Sequence, residues 1–412
     1  MTQLALWGGE PVKKTPFPAW PHFDDHERAA LIEVLESGQW WRSPGTRTLE
    51  FEQAFARYHE ARHGLAVTNG TAALEVSLAA LGIGPGDEVI VPDYTFVATA
   101  SAVLFTGALP VMVDVTPDTY CLDPDLTESV LSPRTKAIIV VHLAGHTADM
   151  DRFLDIARRY DVALVEDCAH AHGSEWRGQK VGALGDLGTF SFQQSKLMTA
   201  GEGGLIVTND DDLERRARSI HDCGRMPGEW YYAHFIYGSN YRLSEWQSAV
   251  LLQQLARLDA QAAVRTRNAA FLNHALTEID GITPQAQDPR CTRNGHYGYL
   301  FHYDQRTFGD TPINRFIETL NAEGIPTQSS YAPLHAMDLF QSGAYRHRLS
   351  PPQREEHHDF LNADFPNTSR VAWEGVWLIH QTLLGSQEDT ALIVEAVNKI
   401  QAAFKTRNTS QR

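Results

Sequence analysis

Three stretches of the chain carry residue types that reactive chemistry needs. The first is Thr68-Asn69-Gly70-Thr71-Ala72, between an apolar strand pattern and a helical one. Glycine lets backbone N–H groups approach an anion, the start of a helix adds a positive dipole, and threonine offers a hydroxyl. The stretch reads as a phosphate cradle, and on its own equally as a glycine turn with a threonine cap. The second is Val165-Glu166-Asp167-Cys168-Ala169-His170-Ala171-His172. Carboxylates at the carboxyl end of a buried parallel strand face the ligand crevice of an open α/β sheet. At period 2, Asp167 lies opposite Glu166 and Cys168, so one acid points at the site and the other away. The third runs GTFSFQQSKLMTAGEGG from Gly188 to Gly204, with a single lysine, Lys196. A lysine nucleophile needs a desolvated or cation-influenced site that holds part of it neutral. Ser191 and Ser195 offer hydroxyls to a phosphate. Taken alone, Lys196 reads as a surface charge on a loop.

Together the three make a more specific set. A cradle, an acid at a strand end and a lysine further on are the parts a pyridoxal 5'-phosphate enzyme needs. The lysine carries the cofactor, the acid keeps the pyridine nitrogen protonated, and the cradle anchors the phosphate. An aromatic stacked on the ring completes the set, and Phe96, after the strand stop at Pro92, is the candidate. A metal reading competes at the second stretch, where Cys168, His170 and His172 alternate on one face with His142 and His146 nearby. Those ligand types suit zinc. A strand end is not a preformed tetrahedral site, so the expectation is no metal. A dinucleotide enzyme is excluded because no GxGxxG follows the first strand.

The elements that must position these residues are legible as a rhythm. From Gly64 onward, short strands dense in Val, Ile and Leu alternate with helical patterns: GLAVTNG, DEVIVPDY, LPVMVDV, TKAIIVVHLAG, VALVEDCAHA, LGTFSFQQSK and GGLIVTND. That is the signature of a mainly parallel sheet covered on both faces, an α/β fold. The Pro- and Trp-rich opening (Pro16, Pro18, Trp20, Pro21) reads as an extended arm. DDHERAALIEVLESG and TLEFEQAFARYHE read as helices, the first ended by Gly38. Beyond residue 240 a long helical pattern precedes a looser α+β region, with HYGYLFHYD as a strand and a terminal helix from Gln387. The predicted division is a large domain with the arm over 1–255 and a smaller C-terminal domain over 256–412.

Composition narrows the partners. The chain has 412 residues, with 35 Lys and Arg against 51 Asp and Glu, a net charge of −16. So acidic a balance argues against nucleic acid and anionic membranes. The four cysteines, Cys121, Cys168, Cys223 and Cys291, form no CxxC pair, which fits a reducing compartment. No stretch has the length of a membrane span, and the order of apolar and basic residues at the start is not that of a signal peptide. A cytoplasmic location is expected.

The motifs GTAALEVSLAALGIGPGDEVIVPDYTFVATASAV, VDVTPDTYCLDP, TKAIIVVHLAGHTADMD, VEDCAHAHGSEW, GDLGTFSFQQSKLMTAGEGG and GSNYRLSEWQSAV carry a resemblance to the DegT/DnrJ/StrS family of pyridoxal-phosphate aminotransferases. It runs from about Trp41 to Leu258 and continues more weakly through APLHAMDLF and WLIHQTLL. It implies the fold type I architecture, with a mainly parallel seven-stranded sheet and a smaller α+β domain. It implies that Lys196 is the Schiff-base lysine and proton carrier, and that Asp167 pairs with the pyridine nitrogen. Gly70, Thr71 and Ser191 would hold the phosphate and Phe96 would stack on the ring. Asn240 would reach the phosphate in the neighbouring subunit of a homodimer with shared sites. His170 stands where most of the family has Gln, against the cofactor's ring hydroxyl. The presence of Lys196 argues against the family's dehydratase branch.

Three branches of the family fit: nucleotide keto-sugar aminotransferases, keto-cyclitol aminotransferases and the 3-amino-5-hydroxybenzoate synthase branch. VEDCAHAHGSEW and FSFQQSKLMTAGEGG look much like the last. VDVTPDTYCLDP, the long helical stretch and HYGYLFHYD look closest to the cyclitol branch. That branch aminates scyllo-inosose or 2-deoxy-scyllo-inosose with L-glutamine, or glutamate, as donor. A pocket for both partners would be lined by Trp40, Trp41, Tyr331 and His335, with Arg42 or Arg225 anchoring a carboxylate. For the aromatics, plain packing is the competing reading. His380 reads equally as a satisfied core histidine.

Overall fold

The structure, a computed structural model, describes residues 3–355 and 363–409. The first sheet is built from β1 (His63–Val67), β2 (Glu88–Pro92), β3 (Leu109–Val113), β4 (Thr135–Val141), β5 (Ala163–Asp167), β8 (Leu187–Ser191) and β9 (Gly204–Thr208). A short hairpin, β6 (Glu175–Trp176) and β7 (Gln179–Lys180), interrupts the series. The spatial order is β1-β9-β8-β5-β4-β2-β3. The pairs from β8 to β3 are parallel, and β9 is antiparallel to both neighbours. The expected α/β architecture with a mainly parallel seven-stranded sheet is what the chain adopts.

β2 and β8 are buried at every position and β4 at all but one, as strands covered by helices on both faces must be. The antiparallel β9 has a direct cause. A parallel return needs a long crossover, usually a helix, and no helix lies between β8 and β9. The chain therefore turns back across the carboxyl edge, and the turning segment is the one that holds Lys196. β1, two reversals away, runs parallel to β8 and ends at the same edge. So do β2 and β5. The carboxyl edge thus collects Thr68–Thr71, Thr95–Thr99, Asp167 and Lys196 from four separate parts of the sequence.

One expectation needs correction. The strand read through VALVEDCAHA stops at Asp167. The Ala169 amide turns back to donate to Asp167 Oδ1 (3.1 Å), and the Ala171 amide donates to the Cys168 carbonyl (2.8 Å). Residues 168–173 are therefore turns, and Cys168, His170 and His172 do not alternate on a strand face.

The second sheet is antiparallel, in the order β10-β11-β13-β12, from β10 (Ile282–Pro284), β11 (Gly298–Tyr303), β12 (Thr327–Ser329) and β13 (Gly375–Ile379). Its core takes in Leu4 and Phe17, so the opening residues pack with the smaller sheet rather than the larger. A single helix, Glu245–Thr277, runs without a break between the two regions and through residue 255. The helix Asp25–Ser37 ends at Gly38 in the left-handed conformation (φ 64°), as its sequence predicts. No helix among the described residues is long and apolar enough to cross a membrane.

Candidate active site

A cavity of about 840 Å³ opens at the carboxyl edge of the first sheet and is closed on one side by the second. Its first wall is the loop between β1 and the helix Gly70–Ala80. Asn69 caps that helix, its side chain accepting from the Ala72 amide (2.8 Å). The amides of Gly70 and Thr71 have no hydrogen-bond partner among the described residues, and both residues line the cavity. Glycine is required here by space, because a Cβ on Gly70 would lie 2.7 Å from Cβ of Ser191. That contact brings together two of the residues expected to bind phosphate.

The floor holds the acid and the lysine. Asp167 is buried, with Oδ1 accepting from the Ala169 amide (3.1 Å) and Oδ2 from the Thr99 hydroxyl (3.0 Å). Thr99 is itself bonded to Thr95, in the loop before its helix (3.0 Å). Burial raises the Asp167 carboxyl, while its two donors and Lys196 oppose the rise. Lys196 is half-buried with its Nζ 4.4 Å from the Tyr297 ring centroid. Burial lowers its ammonium to about 8, partly offset by the Asp167 charge. At that value part of the population is neutral near physiological pH, which is what a nucleophilic lysine requires.

The walls above are aromatic. Phe96 is half exposed at the rim, 6.2 Å from Tyr331 between ring centroids. His170 stacks on Tyr297 (4.1 Å). Its Nδ1 accepts from the Ala144 amide (3.3 Å), which leaves the hydrogen on Nε2, facing the Tyr331 hydroxyl (3.3 Å). Burial holds the imidazole well below its ordinary range, so it stays a neutral single donor. Where the sequence resemblance implies a Gln, this histidine still presents an N–H to the cavity.

Gly70, Thr71, Phe96, Asp167, His170, Ser191, Lys196 and Tyr331 line one cavity. Other candidates stand outside it. Arg42 points both guanidinium arms at Glu52 (3.0 and 3.1 Å), which also accepts from the Ala66 amide. It fastens the helix Arg47–Tyr58 to β1 and has no arm free for a carboxylate. His335 gives its amide and Nδ1 to the two oxygens of Asp93 (2.8 and 2.6 Å) and stacks on Phe365. Trp41 lies beneath the Arg242 guanidinium at 5.7 Å, Trp40 packs on Trp246, and Arg225 pairs with Asp222. Asn240 is exposed outside this chain's cavity.

Beside β5 stands a grouping of metal-type ligands other than the one read from the sequence. His142, Glu166 and Cys168 bring ligand atoms within 4.8 Å of one another. Yet Glu166 already accepts from the amides of Gly182, Leu184 and Gly185 (2.8 to 2.9 Å) and pairs with His142 Nε2 (3.0 Å). His142 Nδ1 accepts from the Ala148 amide (3.1 Å), so neither ring nitrogen has a lone pair to spare. Burial pushes the Cys168 thiol well up, away from the thiolate a metal needs.

Thr99 and Tyr297 were missed by the sequence reading. Thr99 sits in the first turn of the helix Ala98–Thr106, and the hydroxyl of Thr95, in the loop before that helix, bonds to it. Tyr297, from the second sheet's approach, gives no signal in the sequence.

A family model described as the DegT/DnrJ/EryC1/StrS aminotransferase family matches residues 21–398. A 3-amino-5-hydroxybenzoate synthase from Amycolatopsis mediterranei is 42% identical, over 94% of this chain and 98% of that one. An L-glutamine:2-deoxy-scyllo-inosose aminotransferase from Streptomyces kanamyceticus is 40% identical, over 97% of each. A crystal structure of 3-amino-5-hydroxybenzoic acid synthase superposes with a TM-score of 0.85 at 41% identity, covering 95% of this chain and 100% of that one.

Proposed function

This chain belongs to the DegT/DnrJ/EryC1/StrS aminotransferase family, and from that membership we propose a specific reaction. With pyridoxal 5'-phosphate, it moves the amino group of L-glutamine or L-glutamate to a keto-cyclitol such as scyllo-inosose or 2-deoxy-scyllo-inosose. The setting is aminoglycoside-type antibiotic biosynthesis in the cytoplasm. The observation that carries the chemistry is the half-buried Lys196 amine beside an Asp167 held by two donors.

The cavity fits the cofactor: unpaired first-turn amides, a glycine with no room for a Cβ, a buried acid and a desolvated lysine. Bound there, pyridoxal phosphate supplies an electron sink that lets the donor's α-hydrogen leave as a proton. Gly70, Thr71 and Ser191 would take the phosphate, and Asp167 the hydrogen on the ring nitrogen. Phe96 would cover the ring and His170 Nε2–H would donate to the ring hydroxyl. Lys196 Nζ would take the proton from the donor's α-carbon, and in the second half give it to the acceptor carbon that gains nitrogen.

The lining favours a neutral acceptor. Lys196 is its one Lys or Arg among the described residues, beside three carboxylates, Glu75, Asp167 and Glu202. An acceptor bearing a diphosphate or a carboxylate would meet no further Lys or Arg among the described residues that line the cavity. The donor's carboxylate then needs a cation from a second subunit. A homodimer with shared sites supplies that, with Asn240 reaching across. The exposed run Trp230, Tyr231, Tyr232, Phe235 and Tyr237, just before Asn240, supports such an interface. A 3-amino-5-hydroxybenzoate synthase activity is the second reading, favoured by the 42% relative.

Purified protein should show a visible absorption band with pyridoxal phosphate that vanishes in Lys196→Ala and shifts on addition of L-glutamine. A wild type that stays colourless defeats the reading. An amination screen over scyllo-inosose, 2-deoxy-scyllo-inosose, an aminoshikimate-type precursor and nucleotide keto-sugars decides the acceptor. Turnover of a nucleotide sugar alone would overturn the cyclitol assignment and leave the family intact.

A further inference from the structure

Lys196 sits on a tight turn, its amide donating to the Gln193 carbonyl (2.9 Å). Two carbonyls of that turn are bonded from outside. Trp20 Nε1–H donates to the Gln194 carbonyl (3.0 Å), and His380 Nε2 lies 3.1 Å from the Ser195 carbonyl. A carbonyl only accepts, so His380 carries its hydrogen on Nε2. The Tyr297 hydroxyl bonds the Ser195 side chain (2.8 Å). The rings also touch one another: Trp20 meets His380 edge-on at 4.6 Å, and His380 stacks near Tyr297 at 6.1 Å. Trp20 belongs to the opening arm, Tyr297 precedes β11 and His380 follows β13.

We propose that His380 and Trp20 are positioning residues that fix the Lys196 amine by gripping the two carbonyls before it. Through them the smaller sheet and the opening arm, remote in sequence, set where the lysine points and how dry it is. The groups around His380 suit a fixed donor. Burial opposes a charged imidazole first, and Arg265, fully buried with its guanidinium 5.9 Å from the Trp20 ring, Lys196 and His172 add to it. No carboxylate pairs with His380 or Arg265 among the described residues.

The inference rests on the reading of Lys196 as the cofactor lysine. The test uses full-length protein loaded with pyridoxal phosphate, comparing wild type, His380→Phe, His380→Gln and Trp20→Phe. Visible absorption is titrated against pH, and kcat and KM are measured for L-glutamine. With His380→Phe the titration midpoint should move by about half a pH unit or more. Its kcat should fall about tenfold with KM within about twofold, the mark of a misplaced group rather than lost binding. His380→Gln, which restores an N–H donor, should recover most of both. Trp20→Phe, which keeps an aromatic side chain but loses the N–H donor and part of the ring, should move the midpoint less and in the same direction. His380→Phe with a wild-type titration and kcat, whatever its melting temperature, overturns the proposal, as does a Gln variant no better than Phe. If His380→Phe does not fold, an unmoved midpoint in Trp20→Phe overturns it. A colourless wild type instead overturns the reading of Lys196.

Discussion

Glu166 and Asp167 are neighbours at the end of β5 and live on opposite faces of it. Glu166 points into the body of the protein, where three amides and His142 use its lone pairs. Asp167 points at the cavity, with two donors and a lysine nearby. The same functional group is a structural hub on one face and a reactive partner on the other. What separates them is where hydrogen-bonding capacity is left over: none remains at Glu166, while Asp167 is only partly bonded and can meet a ligand.

That contrast can be broken in four ways, from the largest effect to the smallest. Asp167→Asn should lower kcat about a hundredfold or more, because a neutral amide no longer keeps the ring nitrogen protonated. Its melting temperature should stay near wild type, and a large loss of stability instead would make Asp167 a second Glu166. Glu166→Gln should do the reverse. Its amide nitrogen must face backbone N–H donors, which costs about 1–3 kcal/mol of stability in urea unfolding. Rates per folded molecule should change less than about threefold. A drop in kcat matching that of Asp167→Asn would refute the division of roles.

The third test is pH. Lys196 has its ammonium lowered to about 8, so its neutral, reactive fraction grows as pH rises. Uptake of pyridoxal phosphate by apo-protein should accelerate about tenfold per pH unit below that value and level off above it. The lowered value also means that apo-protein gains stability between about pH 8 and the ordinary lysine range, where only the unfolded chain holds the proton. A rate that kept rising to about pH 10 instead of levelling off near 8 would place the lysine in ordinary solvent. The smallest effect belongs to Thr99→Val, which removes one hydroxyl from Asp167 without changing shape. It should cost about 0.5–1.5 kcal/mol in kcat, a factor of roughly 2–10, with little change in melting temperature.

The large sheet was legible strand by strand because each strand is a short apolar run bounded by a turn signal. Its alternation of faces was legible as well, and it separates Glu166 from Asp167. Where reading failed, a local bond outcompeted a pattern. The β5 strand was read too long because the Asp167 carboxylate captures its own downstream amide and starts a turn. Arg42 and His335 were read as pocket residues by type alone. Both are consumed by partners, Glu52 and Asp93, that type and spacing do not reveal. Tyr297, Trp20 and His380 reach Lys196 from segments far from it in sequence, where nothing local marks that contact.

Sequence alone determined the elements and the order in which the cradle, the acid and the lysine occur, because those depend on local periodicity and turn chemistry. The net charge of −16 and the lone lysine of the third motif were likewise complete in the sequence. Only the tertiary structure decided that the three motifs meet, since that depends on which strands run parallel and on one missing crossover helix between β8 and β9. It also decided which carboxylate keeps free hydrogen-bonding capacity and which cations are already paired. Burial, hydrogen bonding and the fields of neighbouring charges are properties of the packed chain, and they give otherwise identical side chains different chemistry.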